Sequence, residues 1–357
     1  MGAGGSKGAK LDLGVRSPLR IVSIGGGTGL STLLKGLKRY AHVNAQLPSP
    51  HPLVDITAVV TVSDDGGSSG RLQRDFGVLP PGDIRNCMVA LAEDEGLLTR
   101  LFSFRFDSGH GLRGHNFGNL FLTVMSQVTG DFAQAVRLSS EVLAIAGRIY
   151  PSTASRVSLR AHLAGGKVVD GETRISRSVE RIERIELLPG DCRPLKETLK
   201  AISEADLITM GPGSLFTSVA PNLLVNGIPR AIRRSKALKV CFVNLMSQPG
   251  ETTGLTASEH VKVICEHAGA RVVDVAVVNN EPIAAPARRR YARQSAMPVV
   301  NDLDAIRAMG VEVVSAPLVN TGDKIRHDPA AAARVALQLA KKGRRMRVSQ
   351  LKAVLAT

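Results

Sequence analysis

Residues 21–38, IVSIGGGTGLSTLLKGLK, pass from an apolar β-branched run through five residues rich in glycine into a leucine-bearing helical pattern. The stretch predicts a strand, a glycine turn and a helix, which is how a nucleotide-binding α/β fold opens. The glycines match neither common fingerprint. A dinucleotide loop needs G-x-G-x-x-G, and Leu30 stands where the third glycine belongs; a Walker A loop needs G-K-S/T, which is absent. The physics survives the mismatch: residues without Cβ let backbone N–H groups face a ligand, and the following helix points its positive end there. Gly26, Gly27, Thr28 and Gly29 are therefore read as a cradle for phosphate or pyrophosphate, with the Thr28 hydroxyl as an added donor.

The same alternation continues along the chain. Apolar runs recur at RIVSIG, DITAVVTVS, ADLITMG, KVCFVNLM, RVVDVAVVN and VEVVSAPLV, with helical patterns between them. Together they predict an α/β fold: a Rossmann-like, doubly wound, mostly parallel sheet with helices on both faces. Residues 150–189 break the rhythm with polar–apolar alternation around GGK and DG turns, and predict a small antiparallel β-insertion. The expected organisation is a flexible leader over 1–19, one domain over 20–328 and a basic helical tail over 329–357. Residues 48–52, PSPHP, read as a surface loop. Residues 281–298 read as a long irregular loop of the kind that serves as a lid or as plain surface.

Composition removes several classes of function. Of 357 residues, 44% are hydrophobic, enough for a large core, but only 3% are aromatic and none is Trp, which argues against single strands stacked on exposed rings. No apolar run reaches the roughly 18 residues of a membrane helix, and the first residues lack the apolar core of a signal peptide, so a cytoplasmic protein without a membrane span is expected. The four cysteines have no metal-binding spacing, and no metal site is assigned. The net charge of +15 includes +3 in residues 1–20 and +7 from Pro329 onward. Nucleic-acid binding is thus not favoured, and the KKGRRMR segment reads as a solvated helix end.

Further polar loops follow at the predicted strand ends. TVSDDGGSSGRL places Asp64 and Asp65 before glycines, Ser68 and Ser69, beside the first glycine turn; ribose or sugar hydroxyls, a substrate alcohol or a magnesium ion are sensible partners for the acids. In PPGDIRNCM, Asp83 reads as a helix N-cap, Arg85 as a phosphate clamp and Asn86 as a reader of base or sugar. In RGHNFGNLFL, Asn116 and Asn119 lie a turn apart at a helix start, one of them as a cap and the two, with Arg113 and His115 before them, as a polar wall that can read base or sugar. GPGSLFTS brings Gly211, Gly213 and Ser214 to a second tight turn, and VNLMSQPGET brings Asn244 and Gln248 to the same edge. No Ser-His-Asp, Cys-His or H-x-x-x-H arrangement stands out, so no catalytic residue is assigned.

These blocks together resemble the CofD/YvcK family, and more closely its YvcK branch, the gluconeogenesis factors, over about residues 20–320. The matching segments are IVSIGGGTGLSTLLKGLK, AVVTVSDDGGSSGRLQRDFGVLPPGDIRNCMVALA, GHNFGNLFLT, YPSTA, GPGSLFTSVAPNLLV and VNLMSQPGETTGLTASEHV. The resemblance implies a Rossmann-like fold and a cytoplasmic bacterial protein. It implies binding of nucleotide sugars such as UDP-N-acetylglucosamine, and regulation of cell-wall precursor supply, cell shape and gluconeogenic growth. A regulated enzyme of that supply is then the expected partner, and a homo-oligomer the expected state. The CofD branch instead transfers 2-phospho-L-lactate with magnesium and carries a T-x-D-D-type turn near the acceptor. VSDDGG fits that turn loosely through Asp64 and Asp65, and the extended GGSSGRL fits the YvcK branch better. An NAD(P)-binding protein is a third reading, weakened because the second strand ends in SDDGG rather than a lone ribose acid.

Overall fold

The computed structural model describes residues 17–41, 52–93, 96–320, 322 and 324–355. Residues 1–16 of the leader expected over 1–19 and most of the PSPHP loop lie outside the described residues.

Among the described residues, ten strands form two sheets. β1 (Leu19–Gly25), β2 (Val54–Val60), β3 (Arg148–Pro151), β7 (Leu207–Met210), β8 (Leu238–Phe242), β9 (Val275–Asn279) and β10 (Glu312–Ala316) make a seven-stranded sheet in the order β10-β9-β8-β7-β1-β2-β3. Every pairing in it is parallel. β4 (Ser158–Leu163), β5 (Val168–Asp170) and β6 (Ile182–Leu188) form the antiparallel insertion, in the order β5-β4-β6. The central strands are apolar on both faces, and Ile21, Ile24, Ile56, Val59, Leu207 and Val240 are fully buried, as helices covering a parallel sheet require.

Seven helices matter for the site: α1 (Gly27–Lys38), α2 (Gly67–Phe76), α3 (Gly82–Leu91), α4 (Leu97–Ser103), α5 (Phe117–Thr129), α6 (Phe132–Val142) and the single turn α7 (Glu172–Ile175) in the insertion. Leu30, Leu33, Leu34 and Leu37 give α1 one wholly buried face. Two boundaries differ from the sequence reading. Tyr150 and Pro151 belong to β3, a strand of the main sheet in register with Val59 and Val60, so the antiparallel insertion starts at Ser158. Residues 281–298 are not irregular throughout: Ala285–Ala292 is helical, with Pro286 in its first turn.

The basic tail is likewise more than a solvated helix end. The C-terminal helix, Pro329–Leu355, packs along α1, β1 and β7. Gly36 and Gly343 permit this, because a Cβ on either would strike the backbone of Pro329 or Asp206. Asp206 is fully buried, and Arg344 reaches it at 2.5 Å while also donating to the carbonyls of Ser17 and Pro18. Asp206 also accepts the Arg20 backbone N–H at 2.9 Å, and Arg347 lies 3.5 Å from its other oxygen. This cluster pins the last helix to the amino edge of the sheet, away from the loops considered next.

Candidate functional site

From β1 the chain winds outward through β2 to β3, then returns to β7 on the other side of β1 and winds on to β10. The direction reverses between β1 and β7, and in doubly wound sheets ligands bind at that switch point, outside the carboxyl ends of the strands. Two tight loops meet there, Gly25–Gly27 after β1 and Gly211–Ser214 after β7. Gly27 adopts φ 59°, a left-handed conformation that disfavours any side chain. Gly29 lies so close to the second loop that a Cβ would run into Pro212 and Gly213. The glycines thus bring two backbones together as well as exposing amides.

A cleft of about 520 Å³ opens over this junction. Of the residues expected from the sequence, Gly26, Gly27, Thr28, Gly29, Gly213, Ser214 and Asn244 line it, and Gln248 lines it with them. A second cavity of about 530 Å³ shares Thr28 and Thr32 with the first and includes Asn86 in its wall. A third, of about 340 Å³, continues from Asn244 over the end of β9. Gly211, with φ 75°, shapes the second loop from beneath.

The remaining expected residues form a polar layer beside the cleft. Asp83 stands in the first turn of α3 and makes no cap; the N-cap position is Pro81. Its carboxylate instead accepts the N–H of Gly27, and burial, then the neighbouring Asp64, push its pKa up to about 7. The first amide of α1 is therefore already satisfied by protein, which leaves the Thr28 and Gly29 end of the turn facing the cleft. Asp64 accepts the N–H of Gly66 at 2.9 Å and is also raised by burial. Asp65 turns away toward the insertion, accepting Thr173 N–H at 2.9 Å and Thr173 Oγ1–H at 2.6 Å.

Ser68 and Ser69 are buried in the first turn of α2. Ser68 Oγ lies 3.1 Å from His115 Nδ1 and accepts the Asn116 N–H at 3.4 Å. Asn116 caps α5, as expected of one of the two asparagines, by accepting the Asn119 N–H at 3.3 Å. Asn119 is buried beneath it with an unpaired side-chain oxygen. Arg85 bonds Asn86 Oδ1 at 2.6 Å, its stem passing under Gly118, and its pKa is lowered mainly by burial.

Several cleft residues carried no signal as ligand groups. Glu172 and Ser176 come from the insertion, Glu251 from the turn after β8, Tyr291 and Gln294 from the 281–298 segment, and Arg326 and His327 from the loop before the C-terminal helix. Only their placement in long or polar loops marked them. Glu172 is pushed up to about 8 by burial and then by the charges of Asp64, Glu251, Asp65 and Asp83. Glu251 is buried and raised by desolvation, with Oε1 accepting Thr217 Oγ1–H at 3.0 Å. Burial also lowers His327 to about 4, so the ring is neutral near pH 7. Tyr291 Oη accepts the Ile325 N–H at 2.9 Å and ties two of these loops together. Among the described residues no group of three or more His, Cys, Asp or Glu is arranged to hold a metal ion.

The comparisons with known proteins agree with this architecture. A family model described as 2-phospho-L-lactate transferase CofD matches residues 21–319. A gluconeogenesis factor of Halalkalibacterium halodurans is 44% identical over 319 residues, covering 89% of this chain and 95% of its own. The gluconeogenesis factor of Bacillus subtilis is 45% identical over 323 residues, covering 90% and 98%. The crystal structure of a Bacillus halodurans protein, described as a member of the UPF0052 family, aligns at a TM-score of 0.85 and 44% identity, covering 90% of this chain and 100% of that one.

Proposed function

Because the chain belongs to the CofD family and is closely similar to gluconeogenesis factors, we propose that it is a cytoplasmic regulatory protein that binds a nucleotide sugar, with UDP-N-acetylglucosamine as the leading candidate. In this role it links carbon metabolism during gluconeogenic growth to cell-wall precursor supply, and so to cell shape, acting on an enzyme of that supply.

The observation that carries the reading is the meeting of two glycine-tight loops at the switch point, with Thr28 and Ser214 on the wall of one cleft. A diphosphate placed there meets the positive end of α1 and two hydroxyls. Glu172 and Glu251 on the same wall suit sugar hydroxyls rather than further phosphates. A cleft of about 520 Å³ is of the size used for such ligands.

A second reading is a magnesium-dependent phosphotransferase, favoured by the description of the matching family model. In that reading Asp65 positions an acceptor hydroxyl, yet one of its oxygens already takes two bonds from Thr173. The regulator is preferred on that ground.

Isothermal titration calorimetry of the purified protein against UDP-N-acetylglucosamine, UDP-glucose, NADP and GDP, with and without Mg²⁺, separates the two. Tight, metal-independent binding of a UDP-sugar that stays chemically intact supports the regulator. GDP binding, or magnesium-dependent conversion of the ligand, supports the transferase. Binding of none of them refutes the phosphate assignment.

A further inference from the structure

Ser214 ends the Gly211–Ser214 loop and stands at the start of the wide turn Leu215–Val219, with no side-chain capping bond to it. Its hydroxyl is therefore not spent on the helix. Ser214 Oγ instead accepts a hydrogen bond from Gln248 Nε2 at 2.8 Å. A hydroxyl whose oxygen is engaged as an acceptor keeps its single hydrogen for some other acceptor.

The backbone of Gln248 is fixed, and its side-chain amide has a contact at each end. Its Oε1 lies 3.5 Å from Asn244 Nδ2, a long contact that nevertheless favours one orientation of the amide. Its backbone N–H donates to Thr252 Oγ1 at 2.9 Å, and its carbonyl accepts the N–H groups of Glu251 and Thr252 at 3.0 and 2.9 Å. The neighbouring hydroxyl, Thr217, gives its hydrogen to Glu251. Donors thus run in one direction, from Asn244 to Gln248 to Ser214 and out to the cleft that all three line.

We propose that Gln248 is a positioning residue: it fixes Ser214 as a hydrogen-bond donor toward an anionic oxygen of the ligand, with Asn244 setting the polarity of the amide. The inference rests on the diphosphate reading of this cleft. An acceptor-only group such as a phosphate oxygen is what a fixed donor recognises, and a hydroxyl left free to rotate loses part of that advantage.

The test is a double-mutant cycle read by UDP and UDP-N-acetylglucosamine binding. Gln248→Met removes both amide hydrogen bonds at similar volume. It is expected to weaken UDP binding about three- to tenfold, and Ser214→Ala about tenfold, as befits single bonds at a charged ligand. Gln248→Met made in the Ser214→Ala background should then cost nothing more, because there is no hydroxyl left to orient. Multiplying effects, or an unchanged affinity in Gln248→Met alone, overturn the proposal while leaving the diphosphate reading intact. Failure of the unmodified protein to bind either ligand removes that reading and this inference with it. Melting temperatures of the unliganded variants check folding, and Gln248→Ala replaces Gln248→Met if the latter does not fold.

Discussion

Replacing Asp83 with Asn should make the unliganded protein more stable at neutral and alkaline pH, although it alters a buried residue beside the glycine turn. Asp83 is pushed from its ordinary 3.8 to about 7. In the unfolded chain it is ionised at neutral pH, whereas the folded protein holds on to the proton, so the Asp83 contribution to stability falls as pH rises from 3.8 to about 7 and levels off above. A shift of about three units corresponds to about 4 kcal/mol above pH 7, and the part lost between about pH 5.5 and 8 is about 2 kcal/mol. Asn keeps an oxygen for the Gly27 N–H and never ionises. Its second N–H lacks an assured acceptor, a cost of about 1–3 kcal/mol. The net expectation at pH 8 is a gain of about 1–3 kcal/mol. The buried histidines His260, His267 and His327 are all held below their ordinary value of 6.5. They act in the opposite direction on acidification, so the difference between the two proteins is the informative quantity rather than either profile alone. Urea unfolding at about pH 5.5 and 8, with coincident fluorescence-independent probes such as circular dichroism and proteolysis, measures it. Parallel pH profiles for the two proteins, or a less stable Asn variant at pH 8, would refute the reasoning.

Three further outcomes are expected. Thr28→Val should weaken UDP-N-acetylglucosamine binding by about 1–2 kcal/mol in a folded protein, the size of one bond to a charged group; unchanged affinity by calorimetry removes Thr28 from the site. Asp65→Ala deletes both bonds to Thr173 and should raise hydrogen exchange in β4, β5 and β6 while leaving β1 and β2 protected; a uniform rise across both sheets would contradict a role for these bonds in holding the insertion. Arg344→Ala leaves fully buried Asp206 without its nearest cation and should cost about 3–5 kcal/mol in denaturant unfolding, with UDP-sugar affinity unchanged once folded; a cost near zero would show that the pair is expendable.

The main sheet was legible because parallel strands buried on both faces read as apolar runs, and all six runs named from the sequence became strands. β3 escaped because RIYP is only four residues long and adjoins the insertion, so it carries no run of its own. The glycine loops were legible because close backbone approach demands missing side chains, as Gly29 against Pro212 demonstrates. What the sequence could not convey was direction. Asp64 and Asp65 were visible as acids near the turn and Asp83 only as a helix cap, and nothing local reveals that Asp65 faces Thr173 or that Asp83 is spent on Gly27. Glu172, Arg326 and His327 were hidden for a related reason: each comes from a loop distant in sequence, and only the crossovers of the sheet bring those loops to one cleft.

The Arg344 cluster has a consequence for the order in which the protein is made. Synthesis completes β1 and β7, and the buried Asp206 between them, well before the ribosome adds Arg344. Until it does, the nascent chain has an acid at the amino edge of its sheet without its nearest countercharge, and the outer groove along α1, β1 and β7 lacks the helix that covers it. A chain that stopped before Arg344 would carry every ligand-facing loop and still present an unclosed core to chaperones and proteases.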